Sequence, residues 1–391
     1  MFRKDYFLIF FFVVLLFTTA CATKKPIKKD FYLPSPEDIK EKYIAVEEAE
    51  PGQPSKRIYY KVAPWYGFKK AACSLTFDDG TRDQYMVAFP EMEKRNIKGT
   101  FFLITRLVRR SYWMDDKLKR HLFSWDQARQ LWVAGHEIGS HSRTHKDLTK
   151  RGVNVKRELG GSSEKILKEI PSVIAVTLSW PYWRNNEEHQ DLASEHYISA
   201  RAGTGLIENY VENNIDNPKS RVINLYAVDS ICIRNSEIDK PWKSYSNRIW
   251  EDGKWFVLCF HGIDDGRIDQ DWLGWEPLSI SQFRDILNHI EDRDFWIAPF
   301  GMVSRYIRER DSATLALKAS RSSYYILSLD DGLDDAVFNQ PLSIEIKIPE
   351  KWKKYRVSQR RIAIDHHITK EGYLRFSVLP DGSDIFIERV E

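Results

Sequence analysis

Charge of one sign is nearly absent: 59 Lys and Arg face 56 Asp and Glu over 391 residues, a formal net charge of +3. So even a balance gives no long-range pull on nucleic acid, and no nucleic-acid partner is expected. Cysteine is scarce as well. There are four, none in a C-x-x-C spacing, and this excludes a disulfide framework. Long apolar runs are missing. The longest, from Phe7 to Phe17, falls well short of the ~20 residues that a membrane-spanning helix needs. There are no internal repeats. What remains, 42% hydrophobic and 29% charged, is a globular balance that argues against a disordered, collagen-like or multi-span chain. Aromatics are plentiful, with 13 Trp, 18 Tyr and 21 Phe, enough for a core and for flat faces that could bury the C–H side of sugar rings.

The start of the chain reads as an export signal. Arg3 and Lys4 precede the Phe7–Phe17 run, whose length suits a signal h-region of ~7–15 residues. Thr18-Thr19-Ala20-Cys21 follows and resembles a bacterial lipobox. Residues 1–20 are then a lipoprotein signal peptide, with Cys21 the lipidated first residue of the mature chain. Ala22 after the cysteine resembles the pattern sorted to the outer membrane. The expected location is exported and lipid-anchored, with membrane contact through the anchor only.

Residues 21–56 hold Pro26, Pro34, Pro36, Pro51 and Pro54 among charged residues. They read as a tether, with a short helix near 36–49. From 57 to 315 short apolar runs alternate with helix-like stretches. The strand-like runs are 71–77, 99–104, 136–140, 173–179, 199–202, 226–228 and 255–260. The helix-like ones include 84–95, 124–134 and 281–293. Such alternation predicts an α/β fold, a parallel sheet or barrel of β/α units. From 320 to 391 the pattern turns β-rich, with turn residues between five runs, and predicts a small C-terminal antiparallel β module.

Four elements carry chemistry, each at the C-terminal end of an apparent strand, where β/α barrels hold their catalytic groups. The first is Thr76-Phe77-Asp78-Asp79-Gly80. Adjacent carboxylates at a strand end repel, a conflict that a nearby cation removes, although an isolated D-D-G is also an ordinary acidic turn. The second holds His141 and His145. Four residues apart is one helical turn, so both imidazoles can face one metal, although alone they could be two surface histidines. The third is Ser179-Trp180-Pro181-Tyr182, and the fourth is the apolar run Val257–Phe260 ending in His261.

In this order the four elements resemble the polysaccharide deacetylase family, the NodB-homology domains of carbohydrate esterase family four. The T-F-D-D-G and H-[ST]-x-x-H motifs are matched residue for residue, over a resemblance spanning about 70–305. It implies a distorted (β/α) barrel and removal of acetyl groups, as amide or ester, from an acetylated glycan. It implies that Asp79, His141 and His145 bind a divalent metal, zinc by preference, with cobalt, nickel or iron as alternatives. Asp78 would be the general base and His261 the general acid, and the backbone N–H of Tyr182 would face the oxyanion.

Two departures stand out. The arginine that usually opens the third motif and orients the base is replaced by Ser179, and Arg184 lies near enough in sequence to stand in for it. In the fourth motif, which runs through Asp229, Cys232 occupies the place of a carboxylate that would support the catalytic histidine. Losses behind the contacting residues typically cost 10–100-fold. The rival readings are a non-catalytic glycan-binding lipoprotein on the same scaffold, and a hydrolase of other C–N bonds in a small substrate.

Overall fold

The computed structural model describes residues 30–32, 44–46, 57–115, 118–203, 222–239 and 241–390. The expected signal peptide and Cys21 lie outside the described residues. Among the described residues, no helix is long and apolar enough to cross a membrane.

The centre is a curled parallel sheet of eight strands: β1 (Ala71–Phe77), β2 (Thr100–Leu103), β3 (Glu137–Ser140), β4 (Thr177–Ser179), β5 (Ser199–Arg201), β6 (Ile231–Cys232), β7 (Trp255–Phe260) and β8 (Phe295–Ile297). Their order is β5-β4-β3-β2-β1-β7-β6, with β8 beside the first half of β1. The 226–228 run forms no named strand, but Val228 bridges in parallel to Arg201 and extends the curl past β5. All seven residues of β1 are buried, as expected where a parallel sheet is covered on both faces.

The pleat sorts those residues by face. Ala71, Cys73, Leu75 and Phe77 join the core between sheet and helices. Ser74 and Thr76 point to the other side, where their hydroxyls donate to the carbonyls of Ala298 (2.8 Å) and Leu258 (2.7 Å). Asp78, two residues further on, therefore emerges at the mouth of the curl. The inner face is tightly filled. A Cβ on Gly139 would sit 2.5 Å from the Phe102 ring, so β3 can approach β2 only with glycine there.

Helix signals in the sequence hold where caps are strong. Ser124 and Ser279 each form a capping box, with Gln127 and Gln282 respectively, at the heads of Trp125–Val133 and Ile280–Glu291. The 84–95 stretch is less regular, a π turn at Gln84–Ala88 running into Phe89–Glu93.

The C-terminal β module is two five-stranded antiparallel sheets. One joins Thr314–Ser320, Tyr324–Asp330, Asp381–Val390, Lys354–Gln359 and Ile362–Ala363. The other joins Ile44–Val46, Arg57–Val62, Leu342–Lys347, Tyr373–Val378 and His366–Ile368. Strand Arg57–Val62 thus pairs with Leu342–Lys347 across most of the chain. Ile44–Val46, inside the stretch expected to be helical, is a strand on its edge. Leu327, Val357 and Ile387 from one sheet meet Ile344, Leu374 and Phe376 from the other, and the same core runs into helix Phe300–Ser312 through Phe300, Val303 and Ile307. The module therefore packs on this helix, which in turn contacts β1.

Candidate active site

Every strand that matters delivers its residues at the same end. Asp78 and Asp79 follow β1, and His141 and His145 follow β3. Ser179, Arg201 and Cys232 close β4, β5 and β6, and His261 follows β7. These mouths are tied together. Asp78 N donates to Phe260 O (2.9 Å), and the Gln84 side chain donates to His261 O (2.8 Å). The buried Asp83 carboxylate takes the N–H groups of Ile263 (2.6 Å) and Gly274 (3.1 Å).

Asp79, His141 and His145 converge as the sequence predicts, but not through a helix. The histidines sit on an irregular loop after β3, and they meet because Ser142 (φ 61°) and His145 (φ 59°) adopt left-handed backbone, a conformation that costs non-glycine residues energy and gathers at functional sites. Thr144 pins the loop, donating from N (2.8 Å) and Oγ1 (2.7 Å) to the buried Glu158. Asp79 is itself left-handed, at φ 76°.

The ligand atoms of the three lie within 4.8 Å of one another. Asp79 Oδ1 stands 3.7 Å from His141 Nε2 and 3.6 Å from His145 Nε2. That is too long for hydrogen bonds and close to the ~3.4 Å between atoms sharing one ion at tetrahedral distances. His141 Nδ1 donates to Ser179 O (2.8 Å), which leaves its Nε2 an unprotonated lone pair aimed at carboxylate oxygens. Burial pushes both imidazoles down to about 4, despite the pull of Asp78, so both are neutral ligands at ordinary pH. Asp79 Oδ1 is buried with no hydrogen-bond partner. Lone pairs facing lone pairs in a buried space fit a cation between them.

Asp78 is held from behind. Arg201, fully buried, places Nη2 on Asp78 Oδ2 and on Ser179 Oγ, and donates from Nη1 to Ser230 Oγ (2.7 Å). Burial alone would raise the Asp78 carboxyl, yet Arg201, His141 and His261 together hold it well below the usual carboxylate range. Arg184 does not take this role. It is exposed and pairs with Asp147 on the rim. Arg201 is the direct register partner of Ser179 on the next strand, so the guanidinium missing at Ser179 is supplied at the same level from one strand over. Nothing in the motif string pointed there. The available signal was a charge inside the small-residue run Ser199-Ala200-Arg201-Ala202, since a buried arginine must have a partner.

His261 faces Asp78 from across the mouth, Nε2 to Oδ2 4.0 Å. Its Nδ1 meets Cys232 Sγ at 3.6 Å, so the cysteine occupies the supporting position. Burial would strip the ring of its proton, but Cys232, Asp78 and Asp79 outweigh burial and push its pKa up to about 9. Cys259 donates its thiol to Asp78 Oδ2 at 3.5 Å. Asp229 is half-buried beside Ser230. Tyr182, left-handed at φ 56°, lays its ring 4.7 Å from that of His145. A cavity of about 470 Å³ opens over Asp78, Asp79, His141, His145 and His261, walled by Trp183 and Trp275.

Residues 67–200 match the polysaccharide deacetylase family. The matched segment holds Asp78, Asp79, His141, His145 and Tyr182. Arg201 and His261 lie beyond it. A gellan lyase of Bacillus sp. is 26% identical over 341 residues, 84% of this chain and 13% of that protein. YxkH of Bacillus subtilis (strain 168), a candidate polysaccharide deacetylase, is 26% identical over 114 residues, 29% of this chain and 38% of that protein. This chain thus spans well under half the length of either relative. Among solved structures, the Xyl-CE4 domain of a multidomain xylanase from the hindgut metagenome of Trinervitermes trinervoides is 17% identical, with a TM-score of 0.36 over 59% of this chain and 87% of that one.

Proposed function

We propose that this chain is a divalent-metal-dependent hydrolase that removes acetyl groups from a polysaccharide, as N-acetyl amides or O-acetyl esters. The observation that carries the reading is the shared cavity. An Asp79/His141/His145 set with its lone pairs turned inward, an arginine-held carboxylate and the His261 imidazole all open into it.

A divalent cation on those three residues supplies a Lewis acid for the acetyl carbonyl. Zinc suits a mixed carboxylate and imidazole set, and cobalt, nickel or iron are alternatives. Asp78, kept ionised by Arg201, accepts the proton of the attacking water. His261 gives its proton to the departing amine or alcohol. The Tyr182 N–H would face the developing oxyanion. Arg201 supports the catalytic reading over a non-catalytic glycan binder, because it gives the base an orienting partner.

The test is acetate release from acetylated glycans, measured with and without chelator. Robust release that ignores chelator would sink the reading. A pH profile adds a second check. His261 works as an acid only while protonated, so the rate is expected to fall as pH rises through about 9. A flat profile to pH 10 would remove His261 from the role.

We also propose that the chain is exported and lipid-anchored at Cys21, in the outer membrane, on the strength of the residues 1–21 pattern. Metabolic labelling with a fatty-acid probe is expected to mark the protein and to fail on Cys21→Ala. Equal labelling of both would refute the anchor.

A further inference from the structure

A second cavity adjoins the histidine loop. The loop that sends His141 and His145 to the first cavity sends Arg143, midway between them, to this one. Its volume is about 290 Å³, and its walls include Arg106, Arg110, Arg143, Lys165, Thr105 and Trp125. Among the described residues no acidic side chain lines it. Lys165 is answered by Glu169. Arg106, Arg110 and Arg143 have no acidic partner among the described residues, in a protein whose charges are otherwise nearly balanced.

Arg106 and Arg143 are held close by the backbone. Thr105 N donates to Ser142 O (3.2 Å) and Arg106 N to Arg143 O (3.0 Å), so the turn after β2 and the histidine loop run side by side. Like charges gathered without counter-charge repel one another, and an anion between them relieves that repulsion. Guanidinium forks match carboxylate geometry with two parallel hydrogen bonds. The half-buried Trp125, with Lys165 Nζ 5.7 Å over its ring, adds a flat apolar surface of the kind that packs against a pyranose.

We propose that this cavity is an outer subsite for an anionic sugar unit, a uronate whose carboxylate meets Arg106, Arg110 and Arg143, so that the polysaccharide is an acidic one. The proposal rests on the reading above that the substrate is a polysaccharide. Arg143 lies two residues from each histidine, at most ~7 Å along the chain. An anchored uronate therefore sits within a few sugar units of the acetyl group being removed, and it sets which acetyl group reaches the cation site.

The test is calorimetric binding to the intact protein, without turnover. The titrants are an oligogalacturonate, a neutral xylo-oligosaccharide of equal length, and sulfate alone. Each is titrated into the unaltered chain and into Arg106→Glu/Arg110→Glu. The acidic oligosaccharide is expected to bind the unaltered chain about tenfold or more tighter than the neutral one, from hydrogen bonds to charged groups. The double variant should lose that preference. Equal affinity for acidic and neutral sugars, a preference that survives the double variant, or sulfate binding as tightly as the oligogalacturonate (a free-anion site) would overturn the proposal. Thermal melting checks that the variant folds, and Arg110→Gln carries the same comparison if it does not. Because the readout is binding, a protein that releases no acetate from any substrate would defeat the deacetylase reading while leaving this comparison intact.

Discussion

Arg201→Met is expected to cost about 3–5 kcal/mol of folding stability and to slow acetate release at least tenfold. The guanidinium is fully buried, and Asp78, Ser179 and Ser230 all spend hydrogen bonds on it. Methionine fills much of the volume but strands the Asp78 carboxylate in a dry site. The sign of the pH effect follows. With Arg201 present the Asp78 pKa is depressed, so the stability it contributes is present above the unfolded value of ~3.9 and is lost as pH falls through the folded one. Without the arginine, burial is opposed less and that pKa rises. The acid limb of the rate profile should then move to higher pH. Urea unfolding and a pH–rate profile measure both effects, and a variant of unchanged stability with an unshifted acid limb would show that Arg201 does not hold the base. Ser179→Arg/Arg201→Ser, which moves the charge to the register partner on β4, is expected to recover part of the rate.

Asp78→Asn isolates the chemistry from the packing. Asparagine keeps the shape and one oxygen for Arg201 but accepts no proton at working pH. Acetate release is expected to fall by ~10²–10⁴-fold, with cation content unchanged because Asp79, His141 and His145 are intact. Elemental analysis beside the rate assay checks both halves. A variant that turns over normally would move the base elsewhere, and one that loses its cation would make Asp78 a ligand.

The motif residues were legible because their chemistry is carried by local strings. Asp78-Asp79-Gly80, the histidine pair and a histidine closing an apolar strand each sit where one strand ends. Their convergence was readable, but its mechanism was not, since the i,i+4 spacing suggested a helical turn where the chain uses two left-handed residues, Ser142 and His145. Arg201 was hidden for a different reason. Its partnership with Asp78 depends on which strands lie side by side, and proximity in sequence pointed to Arg184, which stands on the rim with Asp147. The same limit applies to Arg57–Val62, which pairs with Leu342–Lys347. Hydrophobic patterning marks a strand but not a neighbour nearly three hundred residues away.

One catalytic divalent cation is proposed to sit on Asp79, His141 and His145. The direct measurement is cation content per chain in the purified protein and in His141→Ala, with acetate release followed on the same samples. Close to one ion per unaltered chain is expected, with loss of both ion and turnover in the variant or after chelation, restored in the unaltered chain by adding zinc back. Full turnover from protein shown to carry no divalent ion would contradict it.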